Sequence, residues 1–215
     1  MRLGLRDRLQ IVSAGVSNGA GGDRPTLTLP VEPIALDGVP LEGASQARVV
    51  MLVLSDFECP FCARFANDIM PSVRAEYVKT GRIKVGFRHM PLPMHARAQR
   101  AAESAECAAR QGRFWPMHDS LFTAPMRLSE ADLVEHARVA SVDLSAFNEC
   151  MRGEAEERVS DDRDFASSIG VSATPSFLVG TVDAGGNLRA TEAVVGARPL
   201  KDFAAVFDRL LSALP

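Results

Sequence analysis

No uninterrupted apolar stretch in these 215 residues approaches the ~20 that a spanning helix requires, so no segment is expected to cross a bilayer. Basic residues form no stripe: 24 Lys and Arg stand against 27 Asp and Glu, a net charge of −3, which argues against nucleic acid as a partner. Cysteine is scarce, four in all. No export signal is visible in the chain as it stands. Arg2, Arg6 and Arg8 imitate a basic leader, but Leu9 to Gly22 is broken by Gln10, Ser13, Ser17, Asn18 and glycines where an apolar core should stand. What remains, 47% hydrophobic and 24% charged, is an ordinary globular composition. The length suits one domain with a substantial core, or a core plus an inserted subdomain.

Two of the four cysteines carry the chemistry. Cys59-Pro60-Phe61-Cys62 places two thiols one helical turn apart, directly after the apolar run Val49 to Leu54. If a strand ends near Ser55 and a helix begins at Cys59, unpaired backbone N–H groups and the helix dipole favour a Cys59 thiolate. Pro60 suits the first helical position, where an N–H would have no intrahelical partner. Cys62, one turn in, can then close a disulfide on Cys59. A lone C-x-x-C is also half of a zinc site. A structural zinc needs four ligands, however, and no second C-x-x-C or close His pair follows. Redox chemistry therefore leads, with no metal and no cofactor. Cys107 and Cys150 read equally well as two isolated core thiols or as a second pair. A bond between them would close a loop of 43 positions, worth about 4 kcal/mol by chain entropy, and would persist only in an oxidising compartment.

Residues 1–33, with Gly19 to Gly22 and scattered prolines, read as a flexible lead-in to a domain over 34–215. Ile34-Ala35-Leu36 and Pro40-Leu41 flank the turn dipeptide Asp37-Gly38, predicting a short hairpin. Val49 to Leu54 is apolar on both faces, as a central strand must be. Phe61, Phe65, Ile69, Val73 and Tyr77 recur at helical spacing, with Pro71 as a kink, and Ile83 to Phe87 alternates like a second strand. Helical patterns then fill about 94–170, including a Ser129-x-x-Asp132 cap. Ser176 to Val179 and Ala190 to Val195 form a hairpin across Ala184 to Asn187, and Pro199 to Leu214 closes as an amphipathic helix. The layout predicts an α/β chain with a thioredoxin-like fold and an inserted helical subdomain.

Here the residues resemble the DsbA-like thiol:disulfide oxidoreductases. The signature reads Ser55-Asp56-Phe57-Glu58-Cys59-Pro60-Phe61-Cys62. The similarity continues through Arg88-His89-Met90-Pro91-Leu92, through Ala105 to Phe122, which contains Phe114-Trp115-Pro116-Met117-His118-Asp119, and through Gly170 to Phe177. It implies that Pro175 is a cis-proline facing the cysteines, with Thr174 before it, so that Thr174, Pro175, Pro60 and Phe61 position substrate. A cis X-Pro bond would turn the preceding backbone toward the sulfurs and offer an edge for an extended peptide. Relatives imply a structural Cys107–Cys150 disulfide.

One departure concerns protons. The family commonly carries a buried Glu six residues before the first cysteine, and Val53 stands there. Asp56 and Glu58 are nearer in sequence but would oppose a thiolate, so Asp56 is expected to cap the turn or pair locally. The pair Pro60-Phe61 also lacks the His of the strongest oxidants. The Cys59 pKa should accordingly lie below ~8.5 without reaching the ~3.5 of DsbA itself. His89, His95, His118 and His136 are taken as core or surface residues. Phe61, Met90, Met94 and Phe177 are candidates either for an apolar peptide groove or for the core.

The resemblance implies an enzyme that exchanges a Cys59–Cys62 disulfide with protein thiols outside the cytoplasm, introducing disulfides, with a redox partner to regenerate it. A reductase or isomerase of the same fold is the nearest alternative, and the missing export signal favours a cytoplasmic reductase. A binding module that captures peptides or metal without turnover is the alternative of another class.

Overall fold

The computed structural model describes residues 27–215; the expected lead-in lies outside the described residues as far as residue 26. A mixed sheet contains β1 (Leu41–Glu42), β2 (Val49–Ser55), β3 (Ile83–His89), β4 (Ser176–Val182) and β5 (Leu188–Val195), in the spatial order β1-β3-β2-β4-β5. β2 and β3 run parallel, and the other neighbours are antiparallel. Val53 therefore lies between Phe87 and Phe177, and Ser55 beside His89.

The central place of β2 follows from its composition. Successive side chains point to opposite faces, so Val49, Met51 and Val53 enter one core while Val50, Leu52 and Leu54 enter another. Every residue of the strand is buried. At about 1.5–3 kcal/mol for each large apolar side chain, this strand anchors both layers.

α1 (Pro60–Arg64) leaves the C-terminal end of β2 and continues to Val78 through two wider π-type stretches, Phe65–Ile69 and Arg74–Val78, on either side of α2 (Met70–Val73). Pro71 accounts for the first. It has no N–H to donate and crowds the preceding turn, and the Met70 amide bonds the Phe65 carbonyl, five residues back. The expected kink thus takes the form of a local widening of the helix.

α3 (Ala98–Ala109), α4 (Phe114–Thr123), α5 (Glu130–Val139) and α6 (Leu144–Cys150) form the helical subdomain over the first core. α5 opens on the Ser129–Asp132 capping box. α7 (Glu156–Ser168) belongs to the same expected insertion but packs beside β3, and its Ala166 joins Leu52 and Leu54 in the second core. α8 (Leu200–Ser212) lays Phe203, Val206 and Phe207 on the first.

The N-terminal hairpin does not form. Asp37 and Gly38 do make a turn, with Gly38 at φ +68°. Ile34, however, bridges Leu188 on β5, while Leu41–Glu42 pairs with Gly86 and Val85 on β3. The segment crosses the sheet and buries Leu36 and Val39 in the second core. Two short flanks cannot hold a free hairpin, and each finds a strand to join.

Candidate active site

The chain turns sharply between β2 and α1, and the turn delivers Cys59 to the helix N-cap with extended backbone (φ −75°, ψ 122°) and Pro60 in the first turn. The Ala63 amide donates to the Cys59 carbonyl at 3.0 Å, starting the helix. Cys59 and Cys62 are both free thiols. Cys59 is 4% exposed and Cys62 1%, so both residues are buried, the second almost completely.

Their acidities diverge. The Cys59 pKa is lowered to about 5, inside the range expected from sequence. Hydrogen bonding from the Cys62 thiol is the largest cause; burial opposes it, and Thr174 and the Cys62 and Phe61 amides add to the lowering. Cys62 moves the other way. Burial and the adjacent Cys59 sulfur raise its pKa well above the ordinary thiol value, and the Ser55 hydroxyl and Asp56 amide offset this only in part. Two chemically identical side chains are thus biased in opposite directions, Cys59 toward the thiolate and Cys62, one turn inside it, toward the thiol.

The loop before β4 closes the site. The Thr174–Pro175 peptide is cis, and the Cys59 Sγ lies 3.5 Å from the Thr174 carbonyl oxygen. Among the proposed groove residues, Phe61 (59% exposed) and Met94 (75%) stand in solvent. Met90 and Phe177 do not line a groove. Met90 is buried in the second core, and Phe177, the second residue of β4, packs between Phe65 and Phe203 at centroid distances of 4.6 and 4.8 Å.

Asp56 is buried and acts locally. Its carboxylate accepts from the Glu58 amide at 2.7 Å and the Leu92 amide at 2.8 Å, and pairs with His95 Nδ1 at 2.7 Å. Glu58 is turned away to accept from the Arg97 amide at 2.7 Å. Burial pulls the His95 pKa down, but Asp56, with help from Cys59 and Glu58, outweighs it and leaves the pKa raised. The Asp56 carboxylate is thus the main partner of His95, with Cys59 and Glu58 adding to the preference for its cation. Sequence reasoning passed over it because no spacing motif links it to Asp56. Parallel pairing of β2 with β3 brings the loops after both strands to one end of the sheet, and this alone joins them.

The remaining histidines are interior. His136 accepts or donates to Ser120 Oγ at 2.7 Å and donates to the Arg127 carbonyl at 2.9 Å, a structural pairing. His89 and His118 border the aromatic cluster of Phe57, Phe87 and Phe114. Away from the site, Cys107 and Cys150 are joined by a disulfide with Cα atoms 5.7 Å apart, tying the end of α3 to the end of α6.

Residues 37–194 match the family model described as Thioredoxin. The chain belongs to the thioredoxin family. Within it, the fold is that of the DsbA-type members, a thioredoxin sheet carrying an inserted helical bundle. It is similar to the crystal structure of alpha-DsbA1 from Wolbachia pipientis, with a TM-score of 0.71 and 24% identity over 83% of this chain and 94% of that one. It is also similar to oxidised BdbD from Bacillus subtilis, with a TM-score of 0.72 and 20% identity over 84% and 97%. Among curated proteins, this thioredoxin-family chain is 39% identical over 157 residues to Na(+)/H(+) antiporter NhaA 3 of Salinispora tropica, covering 71% of this chain and 23% of that protein. Na(+)/H(+) antiporter NhaA 1 of Mycolicibacterium gilvum matches at 36% over 163 residues, 71% of this chain and 26% of that protein. The chain spans about a quarter of the length of the curated relatives it matches. No helix among the described residues is long and apolar enough to cross a membrane.

Proposed function

We propose that the protein is a thiol:disulfide oxidoreductase that exchanges a Cys59–Cys62 disulfide with protein thiols, and that it introduces disulfides into extracytoplasmic substrates. The observation that carries this reading is the split acidity of the pair at a helix start beside the buried cis-proline loop: a stabilised thiolate at Cys59 next to Thr174, with a protonated thiol behind it. A substrate thiolate attacks Cys59 in the disulfide form and Cys62 departs with the electron pair. A second substrate thiol then attacks the mixed disulfide, and Cys59 leaves as a thiolate. A low Cys59 pKa makes that last departure easy and stabilises the reduced enzyme, which favours oxidation of the substrate over its reduction. Another redox protein must then reoxidise the pair.

Two further points support the compartment and limit the comparison. The Cys107–Cys150 bond persists in oxidising surroundings and not against cytosolic thiols. Residues 37–194 of this chain are the thioredoxin unit, and we assign cation transport to the three quarters of the longer relatives that this chain does not cover.

Cys59→Ser tests the reading. Oxidised wild type should convert reduced ribonuclease to active enzyme in redox buffer, and the variant should not. Equal recovery with both proteins would make the cleft a binding site without turnover.

A further inference from the structure

Exchange at Cys59, the reading on which this inference rests, requires a proton to move at Cys62. When Cys62 attacks a mixed disulfide it must first lose its S–H proton, and when it is displaced it is left as a thiolate in the interior. Cys62 is 1% exposed, and Val53, where the family resemblance places a carboxylate, is apolar and 4% exposed. Some other group has to carry the proton.

Behind Cys62 lies a cavity of about 10 Å³ whose walls include Val53, Ser55, Cys62, Trp115 and His118. That is about the room one water needs, given two or more polar partners. Most of the wall is apolar, and the polar atoms available to a water come from Ser55, Cys62 and His118. Trp115 also borders the cavity, with its Nε1 buried and without a hydrogen bond. His118 Nδ1 lies 2.8 Å from an Asp119 carboxylate oxygen. An ionised carboxylate only accepts, so Nδ1 carries the hydrogen and Nε2 is left with a lone pair. Asp119 is fixed by Arg74 at 2.9 and 3.0 Å, and its side chain is 48% exposed. A buried imidazole with a basic nitrogen thus stands between the cavity and a carboxylate at the surface.

We propose that His118, acting through one water in this cavity, takes up and returns the Cys62 proton during exchange, and that Asp119 connects the imidazole to solvent. In the attacking direction the Cys62 S–H bond breaks, its proton passes to the water, and the water gives a proton to Nε2. The freed electron pair on Cys62 forms the bond to Cys59 while the bond from Cys59 to the substrate sulfur breaks, its pair leaving on the substrate. After the attack the imidazolium becomes neutral by releasing its Nδ1 proton to solvent through Asp119. In the reverse direction Nε2–H gives its proton through the water to Cys62 as it is displaced, while Nδ1 takes a proton back through Asp119, which restores the Nδ1–H tautomer. No redox agent beyond the two disulfides takes part.

The charged and titratable groups facing His118 are Asp119 beside it, Arg74 on the helix that follows Cys62, Glu42 on β1, and Cys62 across the cavity. Burial is the strongest of the influences on the ring and holds its pKa below the ordinary histidine value. The imidazole is therefore neutral near pH 7 and able to accept. Trp115, in the wall of the same cavity, supplies a fluorescent reporter of the site.

The test follows release of glutathione from a preformed mixed disulfide on Cys59, by stopped flow across a range of pH, in wild type and in His118→Gln. Wild-type release should rise with pH and level off once the imidazole is neutral. Release by the variant should be slower by ~10²-fold at neutral pH, in the range of general-base catalysis, and should climb with hydroxide without levelling. The Cys59 thiolate titration should be the same in both. A variant with the parental pH profile, or one slowed by a constant factor at every pH, overturns the relay while the exchange reading stands. Wild type that releases no glutathione overturns the exchange reading itself, and the relay with it. Should His118→Gln not fold, ¹⁵N spectra of the reduced wild type decide: a protonated Nδ1 with a bare Nε2 is expected, and the opposite tautomer refutes the proposal.

Discussion

Replacing Cys62 by Ala should return much of the ordinary thiol character to Cys59. The Cys62 S–H is the strongest single influence holding the Cys59 pKa at about 5. A hydrogen bond to a charged acceptor contributes roughly 1.5–3 kcal/mol, and one pH unit corresponds to about 1.4 kcal/mol. Its loss should raise the Cys59 pKa by about one to two pH units, to somewhere near 6–7. The value should stop short of ~8.5, because the Thr174 side chain and the Phe61 and Cys62 amides still favour the anion after the substitution. Ultraviolet absorbance of the thiolate gives the titration, and the pH dependence of alkylation by iodoacetamide gives it independently. An identical midpoint in Cys62→Ala would show that the neighbouring thiol does not stabilise the anion. A wild-type midpoint at or above ~8.5 would remove the helix-start argument altogether.

The same thiolate makes stability depend on redox state and pH. The folded pKa lies below the unfolded one, so the stabilisation is complete above the unfolded value and is lost as pH falls through about 5. At pH 7 it amounts to roughly 3 kcal/mol for the reduced protein, and on the order of 60 mV in the potential of the pair. Denaturation of reduced and oxidised protein at pH 7 and near pH 4 should show the advantage of the reduced form shrinking by that amount; a gap independent of pH would contradict it. Removing the second disulfide with Cys107→Ala/Cys150→Ala opens a loop of 43 residues and should cost about 4 kcal/mol in urea unfolding, with less than 1 kcal/mol arguing that the helices hold each other without it. Asp162, 1% exposed, accepts from Arg88 Nη1 and from the His89 amide, both at 2.9 Å, and so ties α7 to the end of β3. Asp162→Ala should destabilise by up to about 3 kcal/mol by leaving the half-buried Arg88 with only the Ala35 carbonyl as acceptor, and a thermal midpoint equal to wild type would refute that role.

Much of the frame is legible in the residues because it rests on local patterns. A strand apolar on both faces, a proline after the first cysteine, and a Ser129–Asp132 cap each have one conformation that satisfies their backbone groups. β2, α1 and α5 accordingly begin where the pattern places them. The misread hairpin and the open choice at Phe177 share a cause. Ile34 to Leu41 reads as a hairpin because local pattern cannot register that distant strand edges are available, and Ile34 and Leu41 use β5 and β3 instead. Phe177 stays between groove and core in the sequence because its nearness to Pro175 is visible there while the face of β4 it occupies is not; the structure puts it in the core.

By itself, then, the order of residues determined that two sulfurs stand one helical turn apart, that one begins a helix, and which layers enclose the central strand, since spacing and backbone hydrogen bonding are properties of neighbours in the chain. Only the tertiary structure decided which groups surround those sulfurs. His95 reaches Asp56, Thr174 reaches Cys59, and His118 shares a cavity with Cys62, because parallel strands and an inserted bundle bring together side chains far apart in sequence. Charge and burial act through space, and so the acidity of each sulfur is a property of the folded neighbourhood rather than of the motif.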